Sequence, residues 1–199
     1  MRQTAGAKII GIYGGSFDPV HKGHVSVVKS VLSDGAVNEV WITPAAQSPF
    51  KHNGAVCPFR HRSAMLKLAF QDEMRVRVCE IEQELPKPSF TLQTLRTLRA
   101  KYPAYSFMLC LGSDNLRHFT AWHGYDEILK TTKLLVALRP AFSADAIPKE
   151  VLKSVQFLNH QPVAVSSTDA RAKLRTEQFS HDVPDEVSAY IKAHKLYET

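Results

Sequence analysis

The first predicted strand of this chain stops at a pair of glycines, and a helix follows at once. The apolar run over residues 7–12 is typical of a buried strand, and Gly14 and Gly15 come directly after it. From Val25 onward, apolar residues recur at the spacing of one helix face. A loop that enters a helix offers an anion unpaired N–H groups and the positive end of the helix dipole, and glycine permits close approach. The stretch therefore predicts a site for polyphosphate chemistry.

Two histidines stand where the helix is expected to begin. His21 and His24 are three residues apart, so they project near the same place if the helix starts at about His21. The glycine spacing fits neither the dinucleotide-binding fingerprint nor a Walker A loop. The alternative without a ligand is a tight turn in which the glycines serve packing and the histidines cap the helix.

The string Gly-Gly-Ser-Phe-Asp-Pro-x-His-x-Gly-His at residues 14–24 resembles the signature of the HxGH nucleotidyltransferases, above all the bacterial nicotinate-nucleotide adenylyltransferases. The predicted order of strand, helix and strand is a βαβ unit, and with the resemblance it leads us to expect an α/β fold with a Rossmann-like doubly wound parallel sheet and helices on both faces. The length of the chain fits a single domain over residues 1–199. The resemblance also implies adenylyl transfer from ATP to nicotinate mononucleotide, giving deamido-NAD and pyrophosphate. The residues to which it gives a catalytic or phosphate-binding role in this loop are His21, His24, Gly14, Gly15, Ser16 and Phe17.

Two further segments are expected to bind phosphate. Residues 165–171 resemble the Ile-Ser-Ser-Thr-x-Ile-Arg motif of the family. This resemblance implies that Ser167, Thr168 and Arg171 bind the phosphates of ATP. Hydroxyls at a helix start with an arginine close behind suit that task, and an ordinary serine cap is the alternative. Residues 48–51 resemble a Pro-Pro-His-Lys segment, in which Lys51 keeps the lysine and Phe50 replaces the histidine.

The second nucleotide is assigned to the middle of the chain. The string at residues 89–95 resembles Ser-Tyr-Thr-x-Asp-Thr-Leu, which places Thr91 near the pyridine ring, with helix capping as the alternative. Gly112 and Asp114 follow a predicted buried strand, where a carboxylate can accept two ribose hydroxyl bonds or cap the next helix. Trp122 resembles the family's tryptophan that stacks on the nicotinate ring, although a lone tryptophan is more often core.

Composition limits the other possibilities. The net charge of +6 and the sequence pI near 9.3 come from scattered Lys and Arg, which fits anionic small substrates better than nucleic acid. No apolar run approaches the roughly 18 residues of a membrane span, and no secretory signal is recognised, so a cytoplasmic protein is expected. The cysteines lie far apart and read as buried reduced thiols, not as zinc ligands or a disulfide framework: Cys57, Cys79 and Cys110.

Mg²⁺ is expected to travel with ATP, held by phosphate oxygens and water, with no metal ligand assigned to the protein. Asp18 is a candidate either for orienting the loop or for meeting a hydrated metal. A homo-oligomer is compatible with the sequence.

Several alternatives stay open. A phosphopantetheine adenylyltransferase or a cytidylyltransferase would share the first loop but would leave Trp122 without a role. A preference for nicotinamide over nicotinate mononucleotide is not excluded by side-chain identities. A non-catalytic nucleotide sensor is disfavoured by the intact His21, His24 and Arg171. A nucleic-acid-binding module would account for the pI and for none of the motifs.

Overall fold

The computed structural model describes residues 7–47, 49, 57–139, 142–145, 147–177 and 180–198. Within these residues a six-stranded sheet forms from β1 (Lys8–Gly15), β2 (Glu39–Pro44), β3 (Val76–Val78), β4 (Tyr105–Gly112), β5 (Lys133–Ala137) and β6 (Val155–Leu158). The strand order is β3-β2-β1-β4-β5-β6, and each neighbouring pair is parallel. The Rossmann-like doubly wound parallel sheet expected from the sequence is confirmed.

The helices that connect or follow these strands are α1 (Lys22–Asp34), α2 (Phe59–Ala69), α3 (Thr91–Lys101), α4 (Ser113–Arg117), α5 (Tyr125–Thr131), α6 (Lys149–Leu152), α7 (Ser167–Glu177) and α8 (Asp185–Ala193). Short 3₁₀ turns at Ile81–Glu84 and Phe119–Ala121 complete the connections. No helix within the described ranges is both long enough and apolar enough to cross a membrane.

The two faces of the sheet are buried under different helices. Side chains alternate along each strand, so Trp41 of β2 points to one face while Val40 and Ile42 point to the other. The core on the Ile42 side is completed by α1, α2, α7 and α8, and the core on the Trp41 side by α3 to α6. Burial on both faces explains why the central strands are almost uninterrupted apolar runs.

The strand order reverses between β1 and β4, and this position locates the functional edge. Tyr13 of β1 lies opposite Cys110 of β4, so the loop after Gly15 and the turn after Gly112 leave the sheet side by side. Ligands of doubly wound sheets bind in the crevice outside the carboxyl ends of the strands at such a reversal. The sequence motifs at residues 14–24 and 112–114 therefore meet at one place.

The predicted elements differ from the structure mainly at the edges of the sheet. The alternation of Val76 and Val78 predicts a strand over residues 74–81, but β3 has only three residues and pairs with β2 alone, and Met74 is 97% exposed. The sequence predicts a helix or a pair of short pieces over residues 142–155, and within the described part of this range the structure has the single turn of α6. Cys57, Cys79 and Cys110 are buried free thiols, as expected.

Candidate active site

A cleft of about 450 Å³ opens at the carboxyl edge of β1 and β4. Most of the residues that the sequence assigns to substrates line it: Gly14, Gly15, Ser16, Phe17, His21, His24, Thr91, Gly112, Asp114, Trp122 and Ser167. Thr168 and Arg171 lie beside the cleft without lining it. Lys51 lies outside the described residues. Residues separated by more than 140 positions in the chain thus face one cavity, which the topology alone does not guarantee.

The two histidines cap α1 and pack on each other. His21 is the N-cap residue, and its Nδ1 accepts from the backbone N–H of His24 at 3.4 Å. Nδ1 of His24 accepts in return from the backbone N–H of His21 at 3.2 Å. The rings are stacked with centroids 3.6 Å apart. The arrangement is a capping box built from histidines, so helix capping and a place in the cleft, which the sequence offered as alternatives, occur together.

This cap determines the tautomer of both rings. Because each Nδ1 accepts a backbone hydrogen bond, the neutral imidazole carries its proton on Nε2. Burial, together with the charge of Arg139 and against the smaller effect of Asp182, lowers the pKa of His21 to about 4. His21 is 3% exposed. In the ligand-free protein at neutral pH, His21 is therefore an uncharged Nε2–H donor.

Glycines at this end of the cleft make room for rings. A Cβ on Gly23 would lie 2.9 Å from Cγ2 of Val165 and 3.0 Å from Nδ1 of His21. A Cβ on Gly15 would lie 3.0 Å from Cζ of Phe17, whose backbone has a positive φ of 48°. Gly23, to which the sequence gave no role of its own, is therefore required for the position of the His21 ring.

Asp18 orients the loop after β1 through hydrogen bonds to three other parts of the chain. Its Oδ1 accepts from the hydroxyl of Tyr197 at 2.8 Å and from the backbone N–H of Cys57 at 3.1 Å. Its carbonyl oxygen accepts from Nη1 of Arg171 at 2.6 Å. Burial, together with the nearby Asp18 charge, raises the pKa of the Tyr197 phenol, so this hydroxyl stays protonated and donates. These contacts favour the loop-orienting role for Asp18 over contact with a hydrated metal.

The start of α7 docks onto the same loop. Oγ of Ser167 donates to the carbonyl of Pro19 at 3.1 Å. The serine cap of this helix is provided by Ser166, whose Oγ accepts from the backbone N–H of Asp169 at 3.1 Å. The cap and the cleft-lining hydroxyl are therefore different residues, and the two expected phosphate cradles are in direct contact.

The other end of the cleft is lined by partly exposed side chains. Thr91 is the first residue of α3 and Phe90 occupies the N-cap position, so Thr91 does not cap the helix. Trp122 lines the cleft while its ring packs on Phe119 with centroids 5.3 Å apart. Asp114 is in the first turn of α4 and forms an ion pair with Nε of Arg139 at 3.0 Å.

A second recess of about 440 Å³ adjoins the cleft. It shares four residues with the cleft, namely Asp114, Arg139, Pro162 and Val163. The Asp114–Arg139 pair therefore stands between two neighbouring cavities, each large enough for part of a nucleotide.

Two charged residues of the cleft were missed by the sequence analysis. Arg139 is the second residue after β5, and its position just beyond the carboxyl end of a strand is a signal that could have identified it. Glu82 lies in a 3₁₀ turn between Glu80 and Glu84, and the sequence contains nothing that separates it from these two.

Side chains of the described residues do not assemble a metal centre. No group of three or more His, Cys, Asp or Glu residues in these ranges is arranged to hold an ion. Asp18 bonds to Tyr197 and Cys57, and Asp114 pairs with Arg139. That Mg²⁺ binds together with ATP, held by phosphate oxygens and water, stays a prediction.

Comparisons with known proteins agree on the type of protein. Residues 12–173 match the family model described as cytidylyltransferase-like. A probable nicotinate-nucleotide adenylyltransferase of Salinibacter ruber is 35% identical over 94% of this chain and 97% of its own. The nicotinate-nucleotide adenylyltransferase of Bacillus subtilis is 32% identical over 96% of this chain and 100% of its own.

A solved structure supports the fold. Plasmodium falciparum nicotinic acid mononucleotide adenylyltransferase complexed with NaAD superposes with a TM-score of 0.79 at 22% identity, covering 96% of this chain and 98% of that one. The same enzyme complexed with APC gives a TM-score of 0.76.

Proposed function

The chain belongs to the cytidylyltransferase-like family and, within it, to the nicotinate-nucleotide adenylyltransferases, and we propose that it transfers the adenylyl group of ATP to nicotinate mononucleotide, forming deamido-NAD and releasing pyrophosphate. The observation that carries this proposal is the stacked histidine cap in the same cleft as Asp114 and Trp122. One end of the cleft suits phosphates and the other suits a ribose with a flat aromatic base.

The reaction needs alignment and charge stabilisation more than proton transfer. The phosphate of the mononucleotide is an anion at neutral pH and can attack the α-phosphate of ATP without a general base. The P–O bond to the departing pyrophosphate breaks as the new P–O bond forms, so negative charge builds on the leaving group. Donors fixed in advance around these oxygens lower the barrier because they need no reorganisation.

The histidine end supplies such donors. The Nε2–H groups of His21 and His24 are set by the capping box, and we assign them to oxygens of the α-phosphate and of the leaving pyrophosphate. Backbone N–H groups of residues 14–17 and the start of α7, with Ser167 and Thr168, are assigned to the remaining phosphate oxygens. Arg171 supports this arrangement through the Asp18 carbonyl, and Lys51 is assigned to the same phosphates.

The opposite end is assigned to the mononucleotide. Trp122 offers a face on which the pyridine ring can stack, with Thr91 beside it, while Gly112 leaves space for the ribose and Asp114 accepts its hydroxyls. Arg139 places a positive charge between the two cavities, which favours two anionic nucleotides side by side. Mg²⁺ enters this scheme as part of the ATP substrate, and we expect the enzyme to act in the cytoplasm.

Pyrophosphate release tests the proposal directly. The purified protein is incubated with MgATP and one acceptor at a time: nicotinate mononucleotide, nicotinamide mononucleotide, phosphopantetheine or glycerol 3-phosphate. We expect rapid release with nicotinate mononucleotide, formation of deamido-NAD and a lower kcat/KM with the amide. CTP in place of ATP serves as the matched donor control. Release that depends on phosphopantetheine or on CTP with glycerol 3-phosphate, and not on either mononucleotide, would overturn the proposal.

A further inference from the structure

Arg62 is a buried cation directly behind the phosphate end of the cleft. It lies on α2 and is 2% exposed. Its guanidinium donates to three backbone carbonyls: Nε to Cys57 at 3.0 Å, Nη1 to Ser16 at 2.6 Å and Nη2 to Ala45 at 2.9 Å. The rigid fork of an arginine can satisfy three such acceptors at once, which the single nitrogen of a lysine cannot do. Arg62 thus joins the loop after β1 to the segment after β2.

Glu82 is a buried anion that meets the same segment from the other side. It is 6% exposed, and its Oε2 accepts from the backbone N–H of Ala46 at 3.3 Å. Its Oε1 accepts from the hydroxyl of Thr94 at 3.1 Å, and the hydroxyl of Ser89 is a further donor. Burial raises the pKa of the Glu82 carboxyl, while these donors and Arg62 oppose the rise.

One peptide group lies between these two charges. The carbonyl of Ala45 points to Arg62 and the N–H of Ala46 points to Glu82, so the peptide dipole joins the cation to the anion. The orientation of that peptide is favourable for both charges at once. Each charge would be costly to bury without such partners, so the three groups hold one another in a single arrangement.

The arrangement reaches both ends of the cleft. Ser16, bonded to Arg62, belongs to the phosphate loop. Ser89 and Thr94, bonded to Glu82, flank Thr91 at the mononucleotide end. Ser89 also exchanges bonds with Gln47, donating from its N–H at 2.9 Å and accepting on its Oγ at 3.3 Å.

We propose that Arg62 and Glu82 are positioning residues that fix the distance between the two substrate subsites through the Ala45–Ala46 peptide. The inference rests on the proposed function, because it concerns the alignment of an attacking phosphate with ATP. A displacement of about 1 Å between the reacting groups lowers turnover by about 100-fold even when each substrate still binds. Loss of this link therefore lowers kcat and leaves the separate affinities nearly unchanged.

Glu82→Gln separates positioning from simple stabilisation. The raised pKa means that the ionised carboxylate costs folding stability at pH values above its folded-state pKa, so the neutral amide relieves that cost at neutral pH. At the same time, one amide NH₂ replaces an acceptor oxygen and faces a donor, either Ala46 N–H or Thr94 hydroxyl. The relief of the buried charge and the mispaired donor oppose each other in stability, so we expect a Tm near that of wild type together with a kcat lowered by about 10- to 100-fold.

The experiment compares this variant with Glu84→Gln, Arg62→Lys and the double variant Arg62→Lys/Glu82→Gln. Glu84 belongs to the same 3₁₀ turn but is exposed and pairs with Lys101 at 3.5 Å, so its variant should keep the wild-type kcat. For each protein, kcat and Tm are measured, and calorimetry gives the dissociation constants of nicotinate mononucleotide and of a non-hydrolysable ATP analogue.

Arg62 and Glu82 act through one peptide. The kcat of the double variant should therefore lie no more than about threefold below that of the less active single variant. A Glu82→Gln kcat within twofold of wild type, or losses that multiply in the double variant, would overturn the inference. Arg62→Lys and the double variant are compared only if they fold. The comparison of Glu82→Gln with Glu84→Gln tests the inference without them. An inactive wild-type protein contradicts the proposed function, whereas an active wild type with an equally active Glu82→Gln contradicts this inference alone.

Discussion

The two ends of the cleft are formed by different kinds of chemical group. At the phosphate end, buried rings, glycines and backbone groups fix one another, as the reciprocal bonds of His21 and His24 show. At the mononucleotide end, partly exposed side chains face the cavity: Asp114, paired with Arg139, and Trp122, packed on Phe119. A triphosphate presents the same oxygens in every substrate, so a rigid site suits it. The second nucleotide is the variable partner, and separate side chains can be exchanged to fit it without disturbing the fold.

The comparison makes a general prediction for mutagenesis. Changes to the histidine cap at the phosphate end should act mainly on kcat, because they disturb donors that meet the charge of the transition state. Changes at the mononucleotide end should act mainly on the KM of one substrate, because they remove binding that is similar in the ground and transition states.

The largest effect is expected for His24→Ala. The substitution removes one Nε2–H donor and the bond that holds the His21 backbone, while α1 keeps its apolar face. We expect kcat to fall by about two to four orders of magnitude. Steady-state kinetics measures the loss, and circular dichroism shows whether the fold is kept. Turnover within a few-fold of wild type in a folded His24→Ala protein would remove the catalytic role of this residue.

Gly23→Ala and Gly112→Ala sharpen the contrast with one added methyl each. At Gly23 the new Cβ would lie 2.9 Å from Val165 and 3.0 Å from the His21 ring, so the ring must move. We expect kcat to fall by about 10- to 100-fold and stability to drop by about 1–3 kcal/mol. At Gly112 no atom lies within 4 Å of the added Cβ, so the fold should keep its Tm and only the KM for the mononucleotide should rise.

Thermal unfolding and steady-state kinetics on the two proteins check this pair. Equal loss of kcat in both variants would contradict the division of the cleft, as would a larger loss of Tm at Gly112 than at Gly23.

The phosphate end could be predicted from the sequence because the residue types there determine the local backbone conformation. Glycines and histidines at the junction of a strand and a helix determine where N–H groups point, and this information is local. Arg62 and Glu82 were not predictable, because the carbonyls around Arg62 and the N–H and hydroxyl donors around Glu82 come from segments that only the fold brings together. The length of β3 was overestimated for a related reason: pairing with β2 decides it, and apolar alternation does not.

The smallest effects come from Trp122→Ala and Arg171→Ala, which should act on different substrates. Removing the indole takes away the stacking face, so the KM for nicotinate mononucleotide should rise by about tenfold while the KM for ATP stays near wild type.

Removing the guanidinium of Arg171 frees the Asp18 carbonyl and loosens the start of α7, so the KM for ATP should rise by several-fold. Arg175→Ala, one turn further along α7 and exposed, is the matched control and should change neither constant. Initial rates with each substrate varied in turn give both KM values for each variant. If Trp122→Ala raised the KM for ATP, or Arg171→Ala raised the KM for the mononucleotide, the two ends of the cleft would not be the separate subsites that their construction indicates.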